Sequence, residues 1–224
     1  MKSINPQASQ HPQSRQPARL PQPLRRTLIL GIGLGLGFTL TGAPLRSAAA
    51  DSTINVNGLA FERRVQLAGA DLLLNGIGLR AVAWFKAYAA ALYLGARATT
   101  AAQAVSAPGP KRLQLRMYRD LPAAEFVKAL NVGLPRNSEP ALATQLADRQ
   151  ANLAARIAAL ETLHEGDTID LDYDPAQGLL FKLNGKLRGE PIPGEDFYGA
   201  LLRVFIGDHP SDTKLKAGLL GGSA

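Results

Sequence analysis

The chain has 224 residues, no cysteine, and 25 lysines and arginines against 18 acidic residues, for a formal net charge of +7. Without cysteine it has no disulfide, thiolate metal site or cysteine nucleophile. Six of the 25 basic residues and none of the acidic ones lie in residues 1–50, which leaves 19 basic against 18 acidic residues afterwards. Nucleic-acid binding therefore lacks the basic surface that it requires.

Residues 1–50 have the anatomy of a secretory signal peptide. Two adjacent arginines precede an apolar run over residues 27–40, and four small residues lie before Asp51. The run falls short of the roughly 20 residues that span a bilayer, and it holds four glycines at alternate positions. We predict removal of residues 1–50, export to the periplasm by the general secretory or twin-arginine route, and a mature domain, 51–224, without a stable membrane anchor.

The mature part opens with strands. Residues 54–70 alternate between apolar and polar side chains, which predicts one or two short strands. Residues 72–79 and 81–94 are apolar and interrupted by glycine, so they form two strands or one strand with a bulge. Arg80 is expected at this bend.

The strand over residues 81–94 has two largely apolar faces. Alternation places Lys86 and Tyr88 on one face and Phe85, Ala87 and Tyr93 on the other. A strand of this kind is covered on both sides, and the polar ends of Lys86 and Tyr88 indicate a pocket. The alternative is a core strand whose lysine and tyrosine simply reach water at the margin of the sheet.

Helices dominate the middle of the chain. A short helix is predicted over residues 99–106, followed by an alternating strand over residues 111–119. Asp120 is expected to cap the next helix, which Gly133 and Pro135 end. A longer helix follows: it opens at Ser138-Glu139-Pro140, carries a leucine and isoleucine stripe, and ends near Gly166.

The last third returns to strands before two final helices. Residues 168–173 and 179–183 read as a hairpin, and Asn184-Gly185 predicts a turn into a further short strand. Helices are predicted over residues 197–206 and 212–220. Strands segregated from helices predict an α+β fold, with a large antiparallel sheet and a helical layer on one face.

Catalytic and cofactor motifs are scarce. The two histidines after residue 50, His164 and His209, stand at predicted element ends, which is typical of surface histidines. The acidic residues Asp170, Asp172 and Asp174 alternate along one strand and could hold calcium, but the polar face of a hairpin explains them better. No metal site and no cofactor is predicted.

Three separated blocks carry a family resemblance. Residues 76–94 contain GIGLR and FKAYAAALYL, residues 111–126 join KRLQLRM to LPAAEF, and residues 192–211 read IPGEDFYGALLRVFIGDHPS. Together they resemble the chalcone isomerase-like family. The resemblance implies an open-faced β-sandwich with an apolar cleft between its large sheet and a layer of helices, and it implies that Arg80 faces this cleft.

The same resemblance bears on catalysis. The plant isomerases of the family use an arginine, a threonine, a tyrosine, an asparagine and a late hydroxyl residue. The arginine corresponds to Arg80, and the other four positions fall on Tyr88, Phe126, Gly133 and Val204. Because apolar side chains cannot donate to a developing oxyanion, this pattern argues against flavanone formation.

The remaining features, an arginine in an apolar cleft with a tyrosine near it, resemble the fatty-acid-binding members of the family, which use an arginine and a tyrosine. The first hypothesis is a non-catalytic binder of fatty acids or similar apolar carboxylates, with Arg80 on the carboxylate. The expected ligand-binding residues are Arg80, Lys86, Tyr88, Tyr93, Phe126 and Val204. An isomerase or lyase that uses Arg80 as electrophile is the second hypothesis, and a structural or partner-binding module is the third. In a further alternative Arg80 pairs with an internal acid, such as Glu125 or Asp196.

Overall fold

A seven-stranded antiparallel sheet dominates the part of the chain that the structure, a computed structural model, describes: residues 52–82 and 85–222. The strands are β1 (Thr53–Val56), β2 (Leu59–Glu62), β3 (Arg64–Leu67), β4 (Ala70–Val82), β5 (Phe85–Leu94), β6 (Lys111–Met117), β7 (Leu121–Pro122), β8 (Thr162–Leu163), β9 (Thr168–Asp174), β10 (Gly178–Leu183) and β11 (Lys186–Leu187). The helices are α1 (Ala101–Ser106), α2 (Ala123–Arg136), α3 (Pro140–Ala158), α4 (Glu195–Ile206) and α5 (Thr213–Leu219).

The large sheet has the order β11-β10-β9-β6-β5-β4-β3, and two further pairs, β1-β2 and β7-β8, stand apart from it. The helices cover one face, where Leu113 and Leu115 of β6 pack with apolar residues of α2, α3 and α4. On the other face, Phe61 of β2 packs with Tyr93. The predicted α+β class, with a large antiparallel sheet and a helical layer on one face, is confirmed.

Two bulges interrupt the pairing of β4 with β5. On β4, Asn75 has no partner in the register between Leu74 and Gly76, and its buried side chain instead bonds the backbone of Ala98 and the carbonyl of Leu219. On β5, the extra residue is Ala87, next to Tyr88. The predicted alternation is confirmed from Tyr88 to Leu94, but Ala87 packs on the helix side, because a bulge shifts the phase of a strand by one residue.

The predicted bounds of α2 are wrong at both ends. Its N-cap is Pro122 without a side-chain bond, while Asp120 accepts a hydrogen bond from the backbone of Glu165 at 2.8 Å. The helix also runs through Gly133 and Pro135 and ends at Arg136. A proline this close to the last turn removes a bond without preventing the helix from finishing that turn.

The long helix α3 ends eight residues before the predicted end near Gly166. Glu161 takes a positive φ of 56°, a conformation that breaks a right-handed helix. The chain then forms β8, whose Leu163 pairs with Leu121 of β7. The apolar stripe continued past the helix because Leu163 is buried in the same core.

Helix α5 lies directly on β4. A Cβ atom added to Gly78 would overlap the backbone of Leu215, and one added to Gly218 would overlap the backbone of Ile77. This close approach requires glycine on both elements and fixes the position of the segment that leads into α5.

The described residues contain no helix with the length and apolar character to cross a bilayer. The predicted signal peptide, residues 1–50, lies outside the described residues, so its cleavage and the export of the protein stay predictions.

Candidate functional site

An apolar cavity of about 50 Å³ lies between the sheet and the helices. Strands β5, β6, β9 and β10 form its floor, and α2, α3 and α4 form its roof. Of the described residues in its wall, Tyr88 and Ser211 alone are polar. We refer to this space as the inner cavity.

A groove of about 290 Å³ opens next to it. Arg80, Phe85 and Glu125 line this outer groove, and Tyr88, Phe126, Ala129 and Ser211 line both spaces. The rings of Tyr88 and Phe126 lie 5.4 Å apart between centroids. Since the two spaces share four wall residues, they are neighbours, and we refer to them together as the cleft, whose wide end is the outer groove.

Arg80 stands at the wide end of the cleft. It is the cross-strand partner of Tyr88, and such partners share a face of the sheet. Its Nη1 donates to Asp212 Oδ2 at 2.8 Å and to the Ser211 carbonyl at 3.0 Å. Its Nε and Nη2 have no hydrogen-bond partner among the described residues, and 33% of the side chain is exposed.

Arg80 is therefore paired with an internal acid, as one alternative expected, although the acid is neither of the two named. Asp196 forms a two-point ion pair with Arg149, at 2.7 and 2.8 Å, and Glu125 lines the outer groove. Asp212 is the partner, and it also caps α5 by accepting from the backbone of Leu215 at 2.9 Å.

Two ionisable groups at the cleft have shifted pKa values. Burial raises the pKa of the Tyr88 phenol far above its usual range, and nearby Arg80 offsets part of that shift. Burial acts against the ionisation of Asp212, but hydrogen bonds from Leu215 and Arg80 outweigh it and hold the pKa of this carboxyl below its usual range. The cleft thus presents a neutral phenol donor beside a charged pair.

Phe126 and Val204 lie in the wall of the inner cavity as apolar groups. Gly133 contacts Val204 so closely that a Cβ atom on Gly133 would overlap the valine side chain. The structure therefore brings together Arg80, Tyr88, Phe126 and Val204, with no donor at the last two positions.

Two expected site residues do not belong to the cleft. Tyr93 lies on the opposite face of the sheet, packed with Phe61, because residues five apart in a strand point to opposite sides. Lys86 is exposed and lines neither the inner cavity nor the outer groove. The placement of Tyr93 and Lys86 at the site was wrong.

Sequence reasoning missed Ser211 and Asp212. The signal available was their position at the start of the predicted helix 212–220, where a serine and an aspartate are typical capping residues. Their contact with Arg80 spans more than 130 positions in the chain and leaves no local pattern. The described residues hold no group of three or more histidine, aspartate or glutamate side chains arranged for a metal ion.

Comparisons with known proteins agree with this architecture. A family model described as chalcone isomerase-like matches residues 53–221. The crystal structure of a fatty-acid binding protein from Arabidopsis thaliana superimposes with a TM-score of 0.57 at 15% identity, covering 75% of this chain and 95% of that chain. No curated protein sequence matches the chain. At that identity, the structural likeness bears on the fold alone.

Proposed function

This chain belongs to the chalcone isomerase-like family, and we propose that it binds fatty acids or similar apolar carboxylates without catalysing a reaction. The observation that carries the proposal is the cleft, with a guanidinium at its wide end and an apolar cavity behind it. The fatty-acid binding protein that shares this fold gives the proposal further support.

The head group would bind at Arg80. The Nε and Nη2 atoms form the side edge of the guanidinium, and this edge is suited to two parallel hydrogen bonds with a carboxylate. In the same protein, Arg112 uses its Nε and Nη2 in this way to hold Asp172, at 2.6 and 2.8 Å. A hydrogen bond to a charged group contributes about 1.5–3 kcal/mol.

The tail would occupy the inner cavity. Each methylene removed from water contributes up to about 0.8 kcal/mol, so affinity should rise with chain length until the space is full. The outer groove lies just below the usual range of small-molecule sites, roughly 300–1,000 Å³, and the inner cavity is far smaller. A long tail therefore enters only when the wall that includes Tyr88 and Phe126 moves.

The enzymatic alternative lacks support at the cavity wall. Flavanone formation requires donors around a developing oxyanion, and removing one strong donor typically costs 10² to 10³ in rate. Here Phe126 and Val204 are apolar, and Val204 fills the space beside Gly133. Purified protein should therefore close a chalcone no faster than buffer does.

Titration calorimetry with saturated fatty acids of increasing length tests the proposal. Arg80→Met keeps the apolar stem and removes the fork, so affinity should fall about ten- to a hundredfold. Arg80→Lys should recover part of it, because an ammonium lacks the two-point geometry. Arg64→Met is the matched control, since Arg64 is exposed on the edge strand β3, and it should bind like the wild type.

Two results would overturn the proposal. Equal affinities in the wild type and Arg80→Met would show that Arg80 does not bind the head group. No binding by the wild type at any chain length would favour a structural or partner-binding module instead.

We also propose that the protein acts in the periplasm after loss of residues 1–50. N-terminal sequencing of the protein from fractionated cells should give a start at or near Asp51. An intact Met1 would contradict both cleavage and this location.

A further inference from the structure

The hydroxyl of Ser211 is buried, and it has no hydrogen-bond partner among the described residues. Ser211 lines the inner cavity and the outer groove, at the point where the two meet. A buried hydroxyl without a partner costs free energy, so the hydroxyl of Ser211 is stabilised when a water or a ligand atom in the cleft accepts its hydrogen bond.

The backbone around Ser211 is held rigidly. Its N–H donates to the carbonyl of Val204 at 2.8 Å, and its own carbonyl accepts from Arg80. The preceding loop is fixed by Asn137, which bonds both the N–H and the carbonyl of His209, at 2.9 Å each. The hydroxyl is thus placed in advance rather than free to turn away with its loop.

Asp212 fixes the guanidinium. One of its oxygens accepts from Leu215 at 2.9 Å and the other from Arg80 at 2.8 Å, so the carboxylate is anchored to the start of α5. Because Nη1 alone contacts Ser211 and Asp212, the Nε and Nη2 edge of Arg80 stays available. Asp212 therefore orients Arg80 and also neutralises its charge.

We propose that Ser211 is a ligand-binding residue and Asp212 a positioning residue, and that together they make the cleft selective for a monocarboxylate over a phosphate head group. The inference rests on the proposed function. The Arg80 edge, Tyr88 and Ser211 offer four donors, which match the four lone-pair sites of a carboxylate.

Charge favours the same choice. The Arg80–Asp212 pair is neutral as a unit, and Glu125 adds a negative charge to the wall of the outer groove. A phosphate monoester carries nearly two negative charges at neutral pH and would meet two carboxylates there. Two basic side chains do lie close by. Lys128 and Arg136 line a surface groove that shares four wall residues with the outer groove, Arg80 and Ser211 among them, although neither basic side chain lines the outer groove or the inner cavity.

The test compares dodecanoate with dodecyl phosphate, which share a tail and differ in the head group, by calorimetry at about pH 8, where the phosphate is fully ionised. The wild type should bind dodecanoate at least tenfold more tightly. Ser211→Ala should weaken dodecanoate binding about tenfold, the low end of what a hydrogen bond to a charged group contributes. Ser138→Ala is the matched control, because its hydroxyl is also buried without a described partner but lines a different groove, and it should change nothing.

The variant Asp212→Asn tests whether Asp212 positions Arg80 for the ligand or only supports the fold. Asparagine is as good a helix cap as aspartate, so α5 should keep its start and the melting temperature should stay near that of the wild type. Removing the negative charge should lower the preference for dodecanoate over dodecyl phosphate about tenfold. A purely structural Asp212 would change both affinities by the same factor.

Two outcomes would overturn this inference alone, and a third would also overturn the proposed function. If Arg80→Met abolishes dodecanoate binding while Ser211→Ala and Asp212→Asn behave like the wild type, the proposed function stands and this inference falls. Tighter binding of dodecyl phosphate by the wild type has the same meaning. Failure of the wild type to bind dodecanoate overturns both.

Discussion

The two faces of the large sheet are built on opposite principles. The helix face is apolar throughout the inner cavity apart from Tyr88 and Ser211, and it leaves unfilled space. The other face carries a buried charge network, in which Asp172, fully buried, receives bonds from Arg112 and from Lys182 at 2.8 Å. Gln114 and Asp170 extend it at 2.8 Å.

The two faces therefore contribute differently: one helps to fix the alignment of the strands, and the other provides the cavity. Directional bonds across β6, β9 and β10 fix how the strands align, because each donor requires one particular acceptor opposite it. Apolar packing on the helix face also specifies the alignment, but it is not directional and can tolerate a cavity. The helix face can therefore hold a cavity while the charge network on the other face helps to fix the alignment of the sheet.

Loss of the charge network should produce the largest decrease in stability. Asp172→Asn keeps the volume but leaves Lys182 without its anion and Arg112 with the more distant Asp170, at 3.8 Å, so the free energy of unfolding should fall by about 3–5 kcal/mol. Urea unfolding measures it, with Asp71→Asn as a control at an exposed position of β4. A loss below about 1 kcal/mol would show that apolar packing alone holds the sheet.

On the helix face, stability should depend more on the close contact between β4 and α5 than on the inner cavity. Gly78→Ala places a methyl group against the backbone of α5, where nothing can move aside cheaply, and should cost about 2–3 kcal/mol. Gly95→Ala, with open space around it, should cost almost nothing by the same thermal unfolding measurement. Similar effects of the two changes would mean that α5 is loosely attached.

Acid should act on ligand binding through the head group. A carboxylic acid that binds Arg80 as the anion has a lower pKa when bound, so affinity is full above its free pKa and is lost as the pH falls below it. Below roughly pH 4.3, affinity should drop about tenfold per pH unit. The Tyr88 phenol stays neutral and Asp212 ionised between about pH 6 and 9, so calorimetry should give a constant affinity there.

The smallest effects compare the two tyrosines of β5. The Tyr93 hydroxyl is buried without a described partner on the charge-network side, so Tyr93→Phe should stabilise the protein by about 1 kcal/mol and leave dodecanoate binding unchanged. Tyr88→Phe should weaken dodecanoate binding about tenfold, as expected for a hydrogen bond to a charged group, with little change in stability. The opposite pattern would reverse the assignment of the ligand to the helix face.

Periodicity in the sequence predicts the two faces of β5 from Tyr88 onward, because side chains alternate in a strand whatever its neighbours are. The predicted bend at Arg80 was wrong, since β4 continues through Arg80 to Val82. Periodicity cannot reveal that Ala87 is a bulge, since an extra residue exists only relative to the partner strand β4. Nor can it place the end of α3, which depends on the backbone of Glu161.

The residues of the candidate site also divide into those that the sequence predicts and those that it cannot. The family resemblance named Arg80, Tyr88, Phe126 and Val204, and all four line the cleft, while their role in binding stays a prediction. Tyr93 was placed with them because the fatty-acid-binding members of the family use a tyrosine beside the arginine, although its parity on the strand already opposed this placement. Ser211 and Asp212 were missed because a contact across the whole domain depends on tertiary structure alone.

The ring pair in the wall of the cleft has a consequence for kinetics. Tyr88 and Phe126 line both the inner cavity and the outer groove, and the inner cavity is too small for a long tail, so entry and exit of a tail both require this wall to move. Association that needs such a change is slower than simple diffusion allows, and dissociation is slowed by the same barrier. A ligand would thus have a long residence time at modest affinity, so the protein would be better suited to carrying its cargo than to exchanging it rapidly with the surroundings.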